Sequence, residues 1–105
     1  MAFVRAAQSS EIPPGTIREF QVGDTAVAVA NVEGKFFAIN NLCMHRGGPL
    51  GEGDLDRQVV TCPWHGWQFD VTTGHMVGNP AIAAPCYKVE LRDGDIFVDV
   101  GEEKP

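Results

Sequence analysis

The chain has 105 residues, which is enough for one domain with a modest hydrophobic core. Its net charge of −6 argues against nucleic-acid binding, which requires a basic surface, and its 44% of hydrophobic residues excludes a disordered chain. Three cysteines are too few for a disulfide framework.

The N-terminal part of the chain predicts a β-meander. The predicted strands span residues 2–7, 16–22, 25–32 and 35–40. The segment 16–22 alternates in polarity and predicts a half-buried strand, whereas 25–32 is rich in alanine and valine and predicts a mostly buried one. Paired prolines and a glycine make residues 9–15 a turn without regular structure, and Glu33-Gly34 predicts a tight hairpin turn.

After residue 40 the predicted strands are shorter. They span residues 58–61, 66–70, 87–92 and 95–100. Asp93-Gly94 predicts a hairpin turn, residues 78–85 an extended loop, and residues 101–105 a frayed tail. His75 follows a turn without a cysteine partner and is interpreted as a solvated histidine. No window shows helical periodicity, so the predicted fold class is all-β.

Two short loops interrupt the strands and carry side chains that bind metals. The first contains Cys43 and His45, the second Cys62 and His65, so each loop offers one thiolate and one imidazole. Such a set could hold tetrahedral zinc, but zinc sites of this kind usually group two cysteines on one loop and two histidines on a helix. One of each per loop suits a dinuclear cluster with two differently ligated irons.

Other residues near the loops have less specific interpretations. Four glycines lie in or after the first loop: Gly47, Gly48, Gly51 and Gly53. Because glycine allows positive φ angles and close approach of backbone N–H donors to an anion, they predict a segment that wraps an anionic cluster. A plain flexible loop is the alternative. Cys86 lies apart from both loops and is interpreted as a small buried hydrophobic residue rather than a ligand.

The pattern Cys-x-His followed by Cys-x-x-His resembles the signature of Rieske [2Fe–2S] proteins. The resemblance extends to Arg46-Gly47-Gly48-Pro49-Leu50 after the first pair and Gly66-Trp67-Gln68-Phe69-Asp70 after the second, and it is strong over residues 35–80. It implies one [2Fe–2S] cluster held by all four residues. The thiolates of Cys43 and Cys62 would hold the inner iron, and the imidazoles of His45 and His65 would hold the outer iron.

Rieske proteins are antiparallel β domains in which a small cluster-binding subdomain sits on a larger base. The resemblance therefore implies a single Rieske domain over the whole chain, with a β-sandwich base from residues 1–40 and 81–100 and a cluster-binding subdomain from residues 41–80. A proline-containing segment flanks the ligand loops in this family, and Pro80 and Pro85 match it by position.

The chain departs from the high-potential Rieske proteins of cytochrome bc-type complexes. Those proteins have an extra cysteine in each loop, joined as a disulfide, where Gly48 and Trp64 stand here. They also have a serine and a tyrosine whose hydroxyl groups donate hydrogen bonds to cluster or cysteine sulfur atoms. Trp67 and Phe69 occupy those positions here, and we expect both to pack in the core. Without those donors we expect a reduction potential near about −150 mV rather than +300 mV.

Among Rieske proteins, the chain resembles the small ferredoxin components of bacterial aromatic-ring dioxygenase systems. The resemblance implies a carrier, not an enzyme, that takes single electrons from an NAD(P)H-dependent flavin reductase. It would pass them to a terminal oxygenase of aromatic hydrocarbon catabolism, docking around His45 and His65. The net negative charge has two interpretations: it keeps the protein soluble, or it steers the protein electrostatically toward a basic partner surface.

Two alternatives stay open. The small subunit of assimilatory nitrite reductase has a Rieske-like fold and often lacks some ligands, whereas all four are present here. A zinc-stabilised structural domain is the other, and its iron and acid-labile sulfide content would distinguish it.

The sequence gives no sign of export or membrane insertion. Residues 1–5 have neither the apolar run of a signal peptide nor a twin-arginine pair. No stretch approaches the roughly 20 apolar residues of a membrane span. We therefore expect a soluble, cytoplasmic protein.

Overall fold

The computed structural model describes residues 3–22, 25–41, 49–63 and 66–104. The strands in these ranges are β1 (Val4–Gln8), β2 (Ile17–Val22), β3 (Thr25–Val32), β4 (Lys35–Asn40), β5 (Asp54–Asp56), β6 (Val59–Thr61), β7 (Gln68–Asp70), β8 (His75–Met76), β9 (Asn79–Ala83), β10 (Cys86–Arg92) and β11 (Asp95–Lys104). Two single-turn 3-10 helices span Ser9–Glu11 and Leu50–Glu52. The described ranges contain no α-helix, which agrees with the predicted all-β fold class.

The strands form two antiparallel sheets. The larger has six strands in the order β1-β11-β10-β4-β3-β2, and the smaller has five in the order β5-β6-β7-β8-β9. Strands β2, β3 and β4 form the predicted meander. Strand β1 pairs with β11 rather than with β2, so it is not part of that meander. The two edge strands β1 and β2 nevertheless contact each other, and the larger sheet is therefore strongly curled.

Both predicted hairpin turns are confirmed. Glu33 and Gly34 have φ angles of 52° and 94°, and Asp93 and Gly94 have φ angles of 51° and 84°. Positive φ at both turn residues matches the twist of the flanking strands, and glycine adopts it without strain. Each turn fixes the register of its strand pair, with Val32 opposite Lys35 in the first hairpin.

The hydrophobic core lies on both faces of β3. Val27 and Val29 belong to one cluster of buried side chains, and Ala28 and Ala30 belong to another. The alanine-containing cluster joins the two sheets, because it also contains Val60, Phe69 and Val71 of the smaller sheet and its turns. The prediction of a mostly buried third strand is confirmed by this two-sided packing.

Several segments differ from the predictions. Glu11 accepts a hydrogen bond from the Gln8 N–H at 2.8 Å, and this bond stabilises a 3-10 turn inside the segment predicted to be irregular. Residues 79–83 form β9 instead of a loop. This is compatible with its proline because β9 is an edge strand.

The C-terminal segment also differs. Residues 101–104 belong to β11 instead of a frayed tail, since Lys104 lies opposite Cys86 in β10. Leu91 of β10 is 50% exposed beside the hairpin turn. The smaller sheet ends at Ala83, and the division into base and cluster-binding subdomain stays a prediction. In the described part of the chain, no helix has the length and apolarity to cross a membrane.

A hydrogen-bond network at Asp70 joins the end of β7 to the turn between β5 and β6. The Gln58 side chain donates to Asp70 Oδ2 at 2.7 Å, and Thr72 donates its N–H (2.8 Å) and its hydroxyl (2.6 Å) to Oδ1. Burial alone raises the pKa of the Asp70 carboxyl, but the hydrogen bonds from Thr72 and Gln58 outweigh burial and lower the pKa. The ionised carboxylate therefore stabilises the folded state.

Replacing Phe69 tests the contact between the sheets. Phe69 is fully buried in the cluster that joins them, so Phe69→Ala leaves a cavity. We expect its free energy of unfolding to fall by about 3–5 kcal/mol, measured by urea denaturation of the metal-loaded protein. Leu91→Ala is the control, because Leu91 is half exposed and its loss should cost less than about 1 kcal/mol. Equal stability of the two variants would contradict this account of the core.

The Asp70 network predicts a pH dependence. Because the folded-state pKa is lowered, the carboxylate contributes stability above its unfolded pKa of about 4, and this is lost as the pH falls through the folded pKa. We expect Asp70→Asn to be less stable than wild type at pH 7, with the difference shrinking below pH 4. Urea denaturation across this range measures it, and Asp54→Asn, an exposed carboxylate of β5, controls for charge. A difference independent of pH would contradict the prediction.

Candidate metal centre

The second predicted ligand loop is the turn between β6 and β7. Cys62 directly follows β6, and its side chain is only 2% exposed. Its N–H donates to the Trp67 carbonyl at 2.7 Å, and its carbonyl accepts a bond from the Gly66 N–H at 3.0 Å. Below these bonds the strand pairing continues with Thr61 opposite Gln68. The loop is therefore closed at its base, and the position of Cys62 is fixed by a hairpin.

Buried side chains explain why the sequence forms this hairpin. Val60 and Phe69 lie opposite each other on β6 and β7, and both are fully buried. Gly66 has a φ of 75°, a conformation that glycine adopts at the end of the loop without strain. Trp67 packs against the same core, with its ring centroid 6.5 Å from that of Phe69. The expected core packing of Trp67 and Phe69 is confirmed.

The first predicted ligand loop follows β4, and its two ends meet at Asn41, which is 2% exposed. The Asn41 carbonyl accepts a hydrogen bond from the Leu50 N–H at 2.6 Å, and its side-chain oxygen accepts one from the Gly51 N–H, also at 2.6 Å. Its side-chain nitrogen donates to the Glu19 carboxylate at 3.0 Å. One buried amide thus joins the residues before the loop to those after it.

Two glycines after the first loop allow close packing rather than positive φ angles. A Cβ atom at Gly51 would lie 2.6 Å from the backbone nitrogen and 2.7 Å from the Cα of Glu19, so the turn Leu50–Glu52 lies directly on β2. A Cβ atom at Gly53 would collide with the Thr61 carbonyl oxygen. Neither has a positive φ, so that part of the prediction is wrong for Gly51 and Gly53, whereas Gly47 and Gly48 lie outside the described residues and the wrapping of a cluster stays a prediction.

The structure places one of the four predicted ligands, Cys62. Cys43, His45 and His65 lie outside the described residues, so the ligand set stays a prediction. The flanks of the two loops are nevertheless close, because Gly53 lies against the Thr61 carbonyl and Leu50 and Cys62 belong to the same buried cluster.

A third segment borders the first loop. The Pro85 carbonyl accepts a hydrogen bond from the Asn40 N–H at 2.9 Å. The Asn40 side chain also donates to the Tyr87 hydroxyl at 3.0 Å. Of the two prolines matched to the family's flanking segment, Pro85 therefore lies at the start of the loop, whereas Pro80 is part of β9.

The described residues fit an iron–sulfur cofactor. A thiolate is a soft ligand, and the Cys62 thiolate would be buried, which is tolerable when a metal compensates its charge. Cys86 contrasts with it, because its thiol donates to the Ala84 carbonyl at 3.8 Å and packs partly buried against the core, as its interpretation as a small hydrophobic residue predicts. His75 is exposed, as predicted, although it lies in β8.

Comparison with known proteins gives a consistent family. Residues 2–94 match the Rieske [2Fe-2S] domain family. The ferredoxin CarAc of Metapseudomonas resinovorans is 36% identical over 104 residues, which cover 97% of this chain and 96% of CarAc. The ferredoxin component of biphenyl 2,3-dioxygenase from Rhodococcus jostii is 35% identical over 101 residues, covering 95% and 94% of the two chains.

Solved structures agree with these relatives. A chain in the complex of reduced oxygenase and oxidized ferredoxin in carbazole 1,9a-dioxygenase has a TM-score of 0.86 and 35% identity, covering 98% of this chain and 96% of that one. The terminal oxygenase of carbazole 1,9a-dioxygenase from Nocardioides aromaticivorans IC177 has a TM-score of 0.85 and 27% identity, covering 98% of this chain but 31% of its own. The chain therefore belongs to the Rieske [2Fe–2S] domain family, whose cofactor is one [2Fe–2S] cluster.

Proposed function

We propose that this protein is a Rieske-type ferredoxin that carries single electrons to the terminal oxygenase of an aromatic-ring-hydroxylating system. The observation that carries the proposal is the extent of the likeness to a ferredoxin, 97% of this chain and 96% of CarAc. The terminal oxygenase of carbazole 1,9a-dioxygenase is 27% identical, whereas CarAc is 36% identical. This difference in identity supports an electron carrier over the catalytic chain of an oxygenase.

The ligand assignment is part of this proposal. Cys43 and Cys62 would supply the two thiolates, and His45 and His65 the two imidazoles. The cluster, when bound, supplies a site for one electron. The burial of Cys62 at the base of a closed hairpin supports its role, because the residue is held in one position and shielded from water.

Partners and location complete the proposal. An NAD(P)H-dependent flavin reductase would supply the electrons, and both partners would dock at the edge around His45 and His65. A net charge of −6 favours rapid, salt-sensitive association with basic partner surfaces. We place this process in the cytoplasm, and we assign residues 41–80 to the cluster-binding subdomain and residues 1–40 and 81–100 to the base.

Electron paramagnetic resonance of the dithionite-reduced protein tests the proposal. We expect a rhombic signal with a low average g value, with two irons and two sulfides per chain. Cys62→Ser and His65→Cys should lose this spectrum because each removes a native ligand. Cys86→Ser is the matched control and should keep it, since Cys86 is not one of the predicted ligands and its thiol donates to the Ala84 carbonyl. A silent protein containing zinc without sulfide would overturn the proposal in favour of a structural module.

A potentiometric titration tests the predicted potential. We expect a one-electron midpoint near about −150 mV, because Trp67 and Phe69 lack the hydroxyl groups that stabilise the reduced form in high-potential relatives. A midpoint near about +300 mV would show that other donors replace them.

A further inference from the structure

We propose that Asn41 is a positioning residue for the cluster, because it holds the two ends of the first ligand loop together. The inference rests on the proposed function, since it takes Cys43 and His45 as ligands. Asn41 is one of three buried polar or charged residues in the described part of the chain, and it precedes Cys43 by two positions. Its hydrogen bonds connect the segments on both sides of residues 42–49.

The Asn41 side chain uses its donor and its acceptor in different directions. Its oxygen accepts a hydrogen bond from the Gly51 N–H at 2.6 Å, beyond the loop. Its nitrogen donates to the Glu19 Oε2 at 3.0 Å, on β2. Only an amide of this length offers both groups, because an aspartate would place a carboxylate against that of Glu19. We call Glu19, Asn41 and Gly51 the loop anchor.

Backbone contacts strengthen the loop anchor. The Asn41 N–H donates to the Ala26 carbonyl at 2.9 Å, and its own carbonyl accepts from the Leu50 N–H at 2.6 Å. Gly51 lies against the backbone of Glu19, at a distance that leaves no room for a side chain. The segment after the loop is thereby fixed to β2 as well as to Asn41.

Closure of the loop matters for metal binding because of entropy. An open segment with two ligands must lose conformational freedom whenever it binds a metal, whereas a segment with joined ends has lost part of it on folding. Groups that orient metal ligands typically contribute about 10–100-fold to metal affinity. The loop anchor is therefore expected to slow release of the cluster and to set the orientation of Cys43 and His45.

Asn31 provides a matched control. It is also a buried asparagine, 4% exposed, and its side-chain nitrogen donates to the Ile12 carbonyl at 2.7 Å. Its side-chain oxygen accepts from the Gly34 N–H at 2.8 Å. Asn31 lies opposite Phe36 near the start of β4, and Asn41 follows the end of that strand, about 17 Å further along. Asn31→Ala thus removes equivalent bonds from the same sheet without touching the loop.

The test compares metal-loaded wild type, Asn41→Ala and Asn31→Ala. Cluster loss to a chelator is followed by absorbance, and the resonance spectrum and midpoint potential are measured on the same samples. We expect Asn41→Ala to lose its cluster about 10–100-fold faster than wild type and to shift the g values. Asn31→Ala should match wild type in both, although we expect urea denaturation to show that it is destabilised. Equal rates of loss in the two variants would overturn the inference.

A donor–acceptor exchange gives a second test that does not depend on Asn41→Ala folding. Asn41→Asp should lose the cluster quickly, because two carboxylates then face each other. Adding Glu19→Gln restores a donor opposite the new carboxylate and the original net charge, so the double variant should regain slow loss. Absence of this rescue would count against the loop anchor.

The two proposals fail differently. Wild type without iron and sulfide would overturn the proposed function and this inference together. Wild type with a cluster, but with Asn41→Ala no faster than Asn31→Ala, would overturn only the inference.

Discussion

Each predicted ligand loop is closed at its base by hydrogen bonds. The packing of the two sheets holds the residues that form these bonds in place. The second loop is closed by the ladder of a hairpin, in which Cys62 pairs with Trp67. The first loop follows β4, and the described residues 50–52 after it form a 3-10 turn instead of a strand paired with β4. The buried amide of Asn41 replaces the missing ladder. Both bases then share one hydrophobic cluster, which keeps their separation constant.

The larger sheet gives this cluster a rigid support. Strand β3 is covered on both faces, with Val27 and Val29 on one side and Ala28 and Ala30 on the other. The two loop bases therefore pack against a strand with little freedom to move. An electron carrier gains from such a support, since ligands that stay in place keep the reorganisation that accompanies each transfer small.

Local signals predicted the parts of the fold that depend on neighbours in sequence. Alternating polarity and the turns Glu33-Gly34 and Asp93-Gly94 identified β2, β3, β4 and β10. The same signals missed β9 and the end of β11, because those strands form only through pairing with partners set by the tertiary fold. For the same reason the pairing of β1 with β11 could not be read from either segment alone.

The site shows a similar division. The spacing of cysteines and histidines indicated a metal centre and its family, because the types of the ligand residues determine which metals a site prefers. Asn41 escaped notice, since an asparagine after a strand is an ordinary turn residue and its contacts with Glu19 and Gly51 are distant in sequence. The pair Asn40-Asn41 directly before the loop was the available signal. Positive φ angles were predicted for Gly51 and Gly53 and are absent, because a glycine required for close packing cannot be distinguished in sequence from one required for its backbone conformation.

The pairing of β1 with β11 has a consequence for gene fusion. Val4 lies opposite Val98 in an antiparallel register, so the first and last strands reach the boundary of the domain side by side. A unit with adjacent entry and exit points can be spliced into a longer polypeptide as a cassette, without separating paired strands. The fold also matches part of a longer chain, because 98% of this chain corresponds to 31% of the terminal oxygenase of carbazole 1,9a-dioxygenase. One architecture thus occurs both in chains of ferredoxin size and as a segment of a longer oxygenase chain.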